Sequence, residues 1–206
     1  MVTSERGRIG RPREFDVDEA LDDAMQVFWE KGYEGASLAE LTAAMGITKP
    51  SMYAAFGNKE QLFRRAVERY TAGPASYGYR ALEEPTAQEV THALLHGAAR
   101  ATTLTERPSG CMGVQSALVT GDAGSPARSM LVDWRNDVLT RLRERFRRAA
   151  AEGDLPPTLD PDRFATYVMT VAYGIAVQAA TGLSGEDLHG VADSVVAAVA
   201  WADDDT

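Results

Sequence analysis

With 206 residues, 45% of them hydrophobic and 25% charged, the chain has an ordinary globular composition. It is long enough to bury a core without disulfides or metals and too short for a multidomain enzyme. Its one cysteine, Cys111, excludes an intramolecular disulfide and points to a reducing compartment. The net charge of −9 opposes nucleic-acid binding unless positive charge is gathered locally, so its distribution decides the matter.

Positive charge gathers at the start. Residues 1–15 read as a basic arm in which Arg6, Arg8, Arg11 and Arg13 face only Glu5 before Glu14. No apolar run follows them, which excludes a secretory signal and predicts a cytoplasmic protein. Glycines and Pro12 keep the arm extended, a form in which Arg8, Arg11 and Arg13 fit the narrow minor groove of A·T-rich DNA. A solvated basic tail is the plainer alternative.

From Asp16 onward helical periodicity dominates. Asp16 and Glu19 form a capping pattern, Leu21, Ala24, Met25 and Phe28 recur on one face, and Gly32 is the stop signal. Short helices are predicted from Ser37 to about Met45 and from Thr48 to about Phe56, and a further helix opens at Asn58. Leu41, Met45, Ile47 and Met52 supply crossing contacts between the two short helices, with Gly46 at the turn: the pattern of a helix-turn-helix. The second of the pair would enter the major groove, presenting Thr48, Lys49, Ser51 and Tyr53 to phosphates and base edges. A core aromatic is the competing reading of Tyr53. Pro50 is tolerated in the first turn, and Ser37 and Lys59, each at a helix start, are candidate phosphate contacts.

Gly73-Pro74 is the first strong breaker, dividing a domain at 16–72 from one at 73–206. Beyond it come helical segments at about 87–104, 110–120, 127–151, 161–181 and 186–201, without strand signals. The apolar run from Phe164 to Leu183 contains Thr166, Thr170, Gln178 and Thr181, so it reads as a buried helix and not a membrane span. Arg141, Arg143, Arg145, Arg147 and Arg148 read as a solvated face. His92 and His96 stand i, i+4 as metal ligands do, but no acid or cysteine follows at metal-site spacing, so no metal is assigned.

Phe28, Gly32, Gly35, Ser37, Leu41 and the run from Gly46 to Glu60 resemble the DNA-binding domain of the TetR family of ligand-responsive transcriptional repressors. The match covers about a quarter of the chain. Thr42 and Ala55 depart from the pattern, since the family commonly has Ala at the first and an aromatic or His reaching a phosphate at the second. The resemblance implies an all-α fold of about nine helices, with an N-terminal helix-turn-helix domain and a C-terminal domain for ligand binding and dimerisation. It further implies a homodimer on a palindromic double-stranded operator, released by a small, largely apolar effector, with no cofactor and no catalysis. On that architecture Tyr77, Cys111, Met112, Gln115, Trp134, Val138 and Tyr167 are the expected pocket, and Phe164, Val168, Val171, Val195 and Val199 the expected dimer contacts. Plain core packing is the alternative for each pocket residue. Two further readings stay open. One is an interaction module that has lost specific DNA binding; the other is a redox-responsive regulator in which a helix start lowers the pKa of Cys111.

Overall fold

The computed structural model describes residues 15–104, 108–114 and 126–201, so Arg8, Arg11, Arg13 and Gln115 lie outside the described residues. Among them nine α-helices can be bounded, and no strand occurs. They are α1 (Val17–Gly35), α2 (Leu38–Ala44), α3 (Lys49–Phe56), α4 (Lys59–Ala72), α5 (Tyr77–Arg80), α6 (Ala87–Thr102), α7 (Pro126–Glu152), α8 (Pro161–Ala180) and α9 (Gly185–Ala197). A 3-10 turn (Ala81–Glu83) follows α5.

Local chemistry sets the boundaries. Asp16 caps α1 by accepting from the backbone N–H groups of Asp18 and Glu19. Ser37 with Glu40, Asn58 with Gln61 and Thr86 with Glu89 form reciprocal capping boxes at α2, α4 and α6. Gly32 does not end α1 as expected. It takes φ 68° and kinks the helix, which resumes for a last turn to Gly35. The final helix also ends early, at Ala197, and Trp201 folds back so that its indole N–H donates to the Val196 carbonyl at 2.8 Å.

Helices α1 to α4 close over Phe28, Trp29, Leu41, Met52, Leu62 and Phe63, all essentially excluded from solvent. Phe28 and Phe63 meet edge-on at 4.9 Å, and removing either ring costs about 3–5 kcal/mol by the usual cavity penalty. This core continues through Cys111, Met112, Ala127 and Leu131, so the first four helices rest on the start of α7. A second core joins α6, α7, α8 and α9 around Leu94, Leu142, Phe146 and Ala165. On α7, Leu131, Val138, Leu142, Phe146 and Ala149, spaced three, four or seven positions apart, share one buried stripe.

Arg141, Arg147 and Arg148 of the α7 run are exposed, as a solvated face requires, and Arg145 is the exception. Arg145 is buried and donates to the carbonyls of Glu84 and Pro85 at 3.0 and 2.7 Å. Arg147 pairs bidentately with Asp162, and Arg141 donates a single hydrogen bond to Asp137 at 2.8 Å. A long helix passing close to a turn and to α8 recruits these charges to satisfy otherwise bare carbonyls and carboxylates. No helix among the described residues is long and apolar enough to cross a membrane.

Candidate nucleic-acid interface

The helix-turn-helix is built on Gly46, whose φ of 63° turns the chain between α2 and α3 at little cost only for glycine. The Ile47 N–H then closes the turn on the Thr42 carbonyl at 3.1 Å. Thr42 is buried, with its hydroxyl satisfied by the Leu38 carbonyl at 2.8 Å, so this departure from the family pattern fits without strain. Met52 and Phe56 face inward from α3, which turns the remaining positions outward.

Thr48 is the N-cap of α3 and the helix proper begins at Lys49. The Thr48 hydroxyl lies 3.0 Å from that of Ser51 and accepts from its backbone N–H, holding both side chains at the helix mouth. Lys49 is exposed, and Tyr53 is 50% exposed, so Tyr53 is not a core aromatic. Lys59 opens α4 with its ammonium 4.4 Å above the Tyr33 ring, and partial burial lowers its pKa. Ala55 offers no side chain to a phosphate, but its carbonyl accepts from Arg65 at 3.2 Å, and that guanidinium covers the Phe56 ring.

Ser37 stands at the start of α2, as expected, with its hydroxyl already engaged. Its hydroxyl donates to Glu40 at 2.7 Å and accepts from the Glu40 N–H, so it is committed to the cap of α2. Lys31 completes this cluster and, with Ser37, holds the Glu40 carboxyl down at about 2. An ionised carboxylate at that position opposes phosphate. The capping box leaves the exposed Ser37 hydroxyl less free to meet a phosphate.

Of the expected pocket residues, Tyr77, Cys111, Trp134 and Val138 line one cavity between the two cores, completed by Leu94, Met169 and Tyr173. Met112 is fully buried beside it and does not line it. Tyr167 is a correction: it is 48% exposed and faces a separate groove with Phe164, Val195 and Val199. It lies two positions from Met169, and two positions on a helix are nearly opposite faces. Leu94, Met169 and Tyr173 were hidden in the sequence among identical-looking core positions. The cavity measures about 20 Å³, room for about one water molecule.

Cys111 packs in the first core, which goes against the redox reading and with plain core packing. Burial pushes its thiol up, not down, and Tyr70 donates a hydrogen bond to its sulfur at 3.2 Å. Tyr70 meets Trp29 of α1 at 4.8 Å and Trp134 of α7 at 6.0 Å, both edge-on. A continuous aromatic contact therefore runs from the cavity wall into the helix-turn-helix unit. Arg69, one residue before Tyr70, clamps α4 to α1 through a bidentate pair with Asp22 at 2.9 and 2.7 Å.

Among the expected dimer contacts, Phe164, Val168 and Val195 are buried inside the protomer. Phe164 meets Phe146 at 5.0 Å and Trp201 at 5.8 Å, so its apolar character serves this chain's own core. Val171 and Val199 are half-buried. The outward apolar positions of α8 and α9 are instead Tyr167, Val177 and Val191, with the exposed Gly174 and Gly190 between them.

A helix-turn-helix with a polar, exposed second helix, set on a helical domain that encloses a small apolar cavity, defines a one-component DNA-binding regulator. Residues 20–66 match the profile of bacterial regulatory proteins of the tetR family, and residues 90–192 that of the tetracyclin repressor-like C-terminal domain. The chain belongs to the TetR family, whose members are DNA-binding transcriptional regulators and not enzymes. It is 32% identical over 191 residues to the transcriptional repressor ComR of Escherichia coli K12, covering 91% of this chain and 90% of ComR. A cysteine-substituted CifR, a TetR-family regulator solved with 26-bp operator DNA, is 44% identical with a TM-score of 0.85, covering 94% of this chain and all of that one. A TetR regulator from Chloroflexus aurantiacus shares the fold at 21% identity and a TM-score of 0.75, covering 87% of this chain and 91% of that one.

Proposed function

We propose that the chain is a repressor that binds a palindromic operator as a homodimer and leaves it when a small, largely apolar effector opens the cavity at Tyr77, Cys111 and Trp134. Residues 1–15 serve as the DNA-reaching arm, 16–72 as the DNA-binding domain and 73–206 as the effector and dimer domain. The observation that carries the reading is α3, which presents Thr48, Lys49, Ser51 and Tyr53 from a turn that only its glycine makes easily. The operator-bound CifR and the repressor ComR support it by analogy.

In this reading Arg8, Arg11 and Arg13 enter the minor groove, Thr48, Lys49 and Ser51 reach the major groove, and Tyr53 and Lys59 hold phosphates. The second copy docks on the face of α8 and α9 that bears Tyr167, Val177 and Val191, where the small Gly174 and Gly190 permit close helix approach. Effector entry requires the cavity to expand many-fold, since ligand sites usually enclose about 300–1,000 Å³. Expansion displaces Trp134, and through Tyr70 it shifts α4 and α1, changing the separation of the two groove helices.

Sequencing of genomic fragments retained by the purified protein at fixed physiological salt tests the reading. Recovery of a few sites sharing a two-fold repeat is the expected result. Retention without sequence preference, equal for wild type and Lys49→Ala, contradicts it.

A further inference from the structure

All three histidines of the chain converge on one place. His92 and His96 lie on adjacent turns of α6, with ring centroids 4.0 Å apart. Facing them from α9 are His189 and Asp193, themselves i, i+4. The His96 Nε2 stands 2.9 Å from the Asp193 carboxylate, and its Nδ1 stands 2.6 Å from Nδ1 of His189. The acid that the sequence lacked near His96 is supplied 97 positions later by the packing of α9 on α6.

We propose that His92, His96 and Asp193 bind a divalent first-row transition ion such as Zn²⁺, with His189 as the positioning residue behind His96. One donor atom from each of the three ligands lies within 4.8 Å of the others. Two ligands on one Zn²⁺ stand at most about 4.2 Å apart, twice the Zn–N bond, and the exposed side chains of His92 and Asp193 are free to close the difference. Two imidazoles and a carboxylate form a nitrogen–oxygen set suited to zinc, nickel, cobalt or copper and poorly suited to calcium or magnesium. A hydrogen-bonded pair would need only the buried His96 and the exposed Asp193. Rotation of the exposed His92 ring out of its stack on His96, which lies at 26° to it, turns its lone pair toward the same ion and completes a three-ligand face.

His189 supplies what a ligating imidazole ordinarily has, a partner for its second nitrogen. Without an ion, Nε2–H of His96 donates to the Asp193 carboxylate, and its Nδ1 accepts from His189. With an ion on Nε2, the His96 proton resides on Nδ1 and donates to His189, which carries its own proton on the outer nitrogen. Both rings stay neutral, so this rearrangement by itself releases no proton. The ion stitches α6 to α9 and fixes the turn of α6 at Gly97, whose backbone lies against the Tyr77 ring.

The site is independent of the DNA-binding reading, and its test needs no operator. Chelator-stripped full-length protein is titrated with Co²⁺ and then with Zn²⁺, following the visible spectrum. One Co²⁺ per chain, with the intense visible bands of a four-coordinate ion and displacement by Zn²⁺, is expected. His92→Ala and Asp193→Asn, both at exposed positions that leave the core intact, should each lower affinity tenfold or more. His189→Gln should lower it roughly 10–100-fold while keeping the band shape. The proposal is overturned by wild-type protein that retains no Co²⁺, by His92→Ala and Asp193→Asn variants that bind like wild type, or by a sulfur charge-transfer band placing the ion on Cys111. Wild-type affinity in His189→Gln would remove His189 from its positioning role.

Discussion

At the residue scale, the interface is decided by what each polar side chain is already doing. Lys49 and Tyr53 have no intramolecular task that withdraws them from solvent, whereas Ser37 is committed to Glu40. The Lys31–Glu40–Ser37 cluster yields a pH prediction. The folded carboxyl titrates at about 2 against an ordinary 4.5, so its contribution is complete above about 4.5 and is lost as pH falls through 2. Urea unfolding of wild type and Glu40→Gln should show a stability gap that is constant from neutral pH to about 4.5 and closes by about 2. A gap that persists unchanged at pH 2 would mean that packing, not charge, makes the difference. The raised pKa of buried Cys111 predicts a thiol that reacts slowly with a disulfide reagent at neutral pH in the folded protein and fully once unfolded. Fast stoichiometric reaction of the native protein would restore the redox reading.

At the element scale, two glycines separate backbone from packing. An added Cβ at Gly46 meets no atom within 4 Å, so Gly46→Ala costs only the left-handed backbone penalty, about 1–2 kcal/mol. At Gly113 the Cβ would come within 2.3 Å of the Trp134 ring, which must move. Gly113→Ala should therefore alter the near-ultraviolet circular dichroism as well as lower stability by about 1–3 kcal/mol, and Gly46→Ala should lower stability alone. Identical near-ultraviolet spectra for the two variants would contradict the close approach of Trp134. Element identity was largely legible in the sequence, because caps such as Asp16 and Asn58 and the three- and four-residue spacing of Leu21, Ala24, Met25 and Phe28 on α1 are local signals. The burial of Phe164 and Val168 and the outward turn of Tyr167 were not. Which stripe of an apolar helix faces its own core and which faces outward depends on where α6, α7 and α9 pack around it. For the same reason His189 and Asp193 gave no sign of meeting His92 and His96.

At the scale of the whole molecule, the two cores are joined where α4 rests on α7, and Tyr70 sits at that joint between Trp29 and Trp134. Val177 and Val191 are each 41% exposed on the outer face of α8 and α9. Val177→Glu should give a helical monomer by sedimentation, with weakened operator binding because two half-sites no longer share one assembly. A dimer that survives both Val177→Glu and Val191→Glu would place the interface elsewhere. Whether α3 reads DNA is decided by comparing affinity for a recovered site and for unrelated duplex of equal length, at one salt concentration, in wild type and Lys49→Ala. The substitution should cost about 1–3 kcal/mol on the specific site, change binding to unrelated duplex less, and leave the helical content unchanged. Equal affinity of the two proteins for the specific site would contradict it.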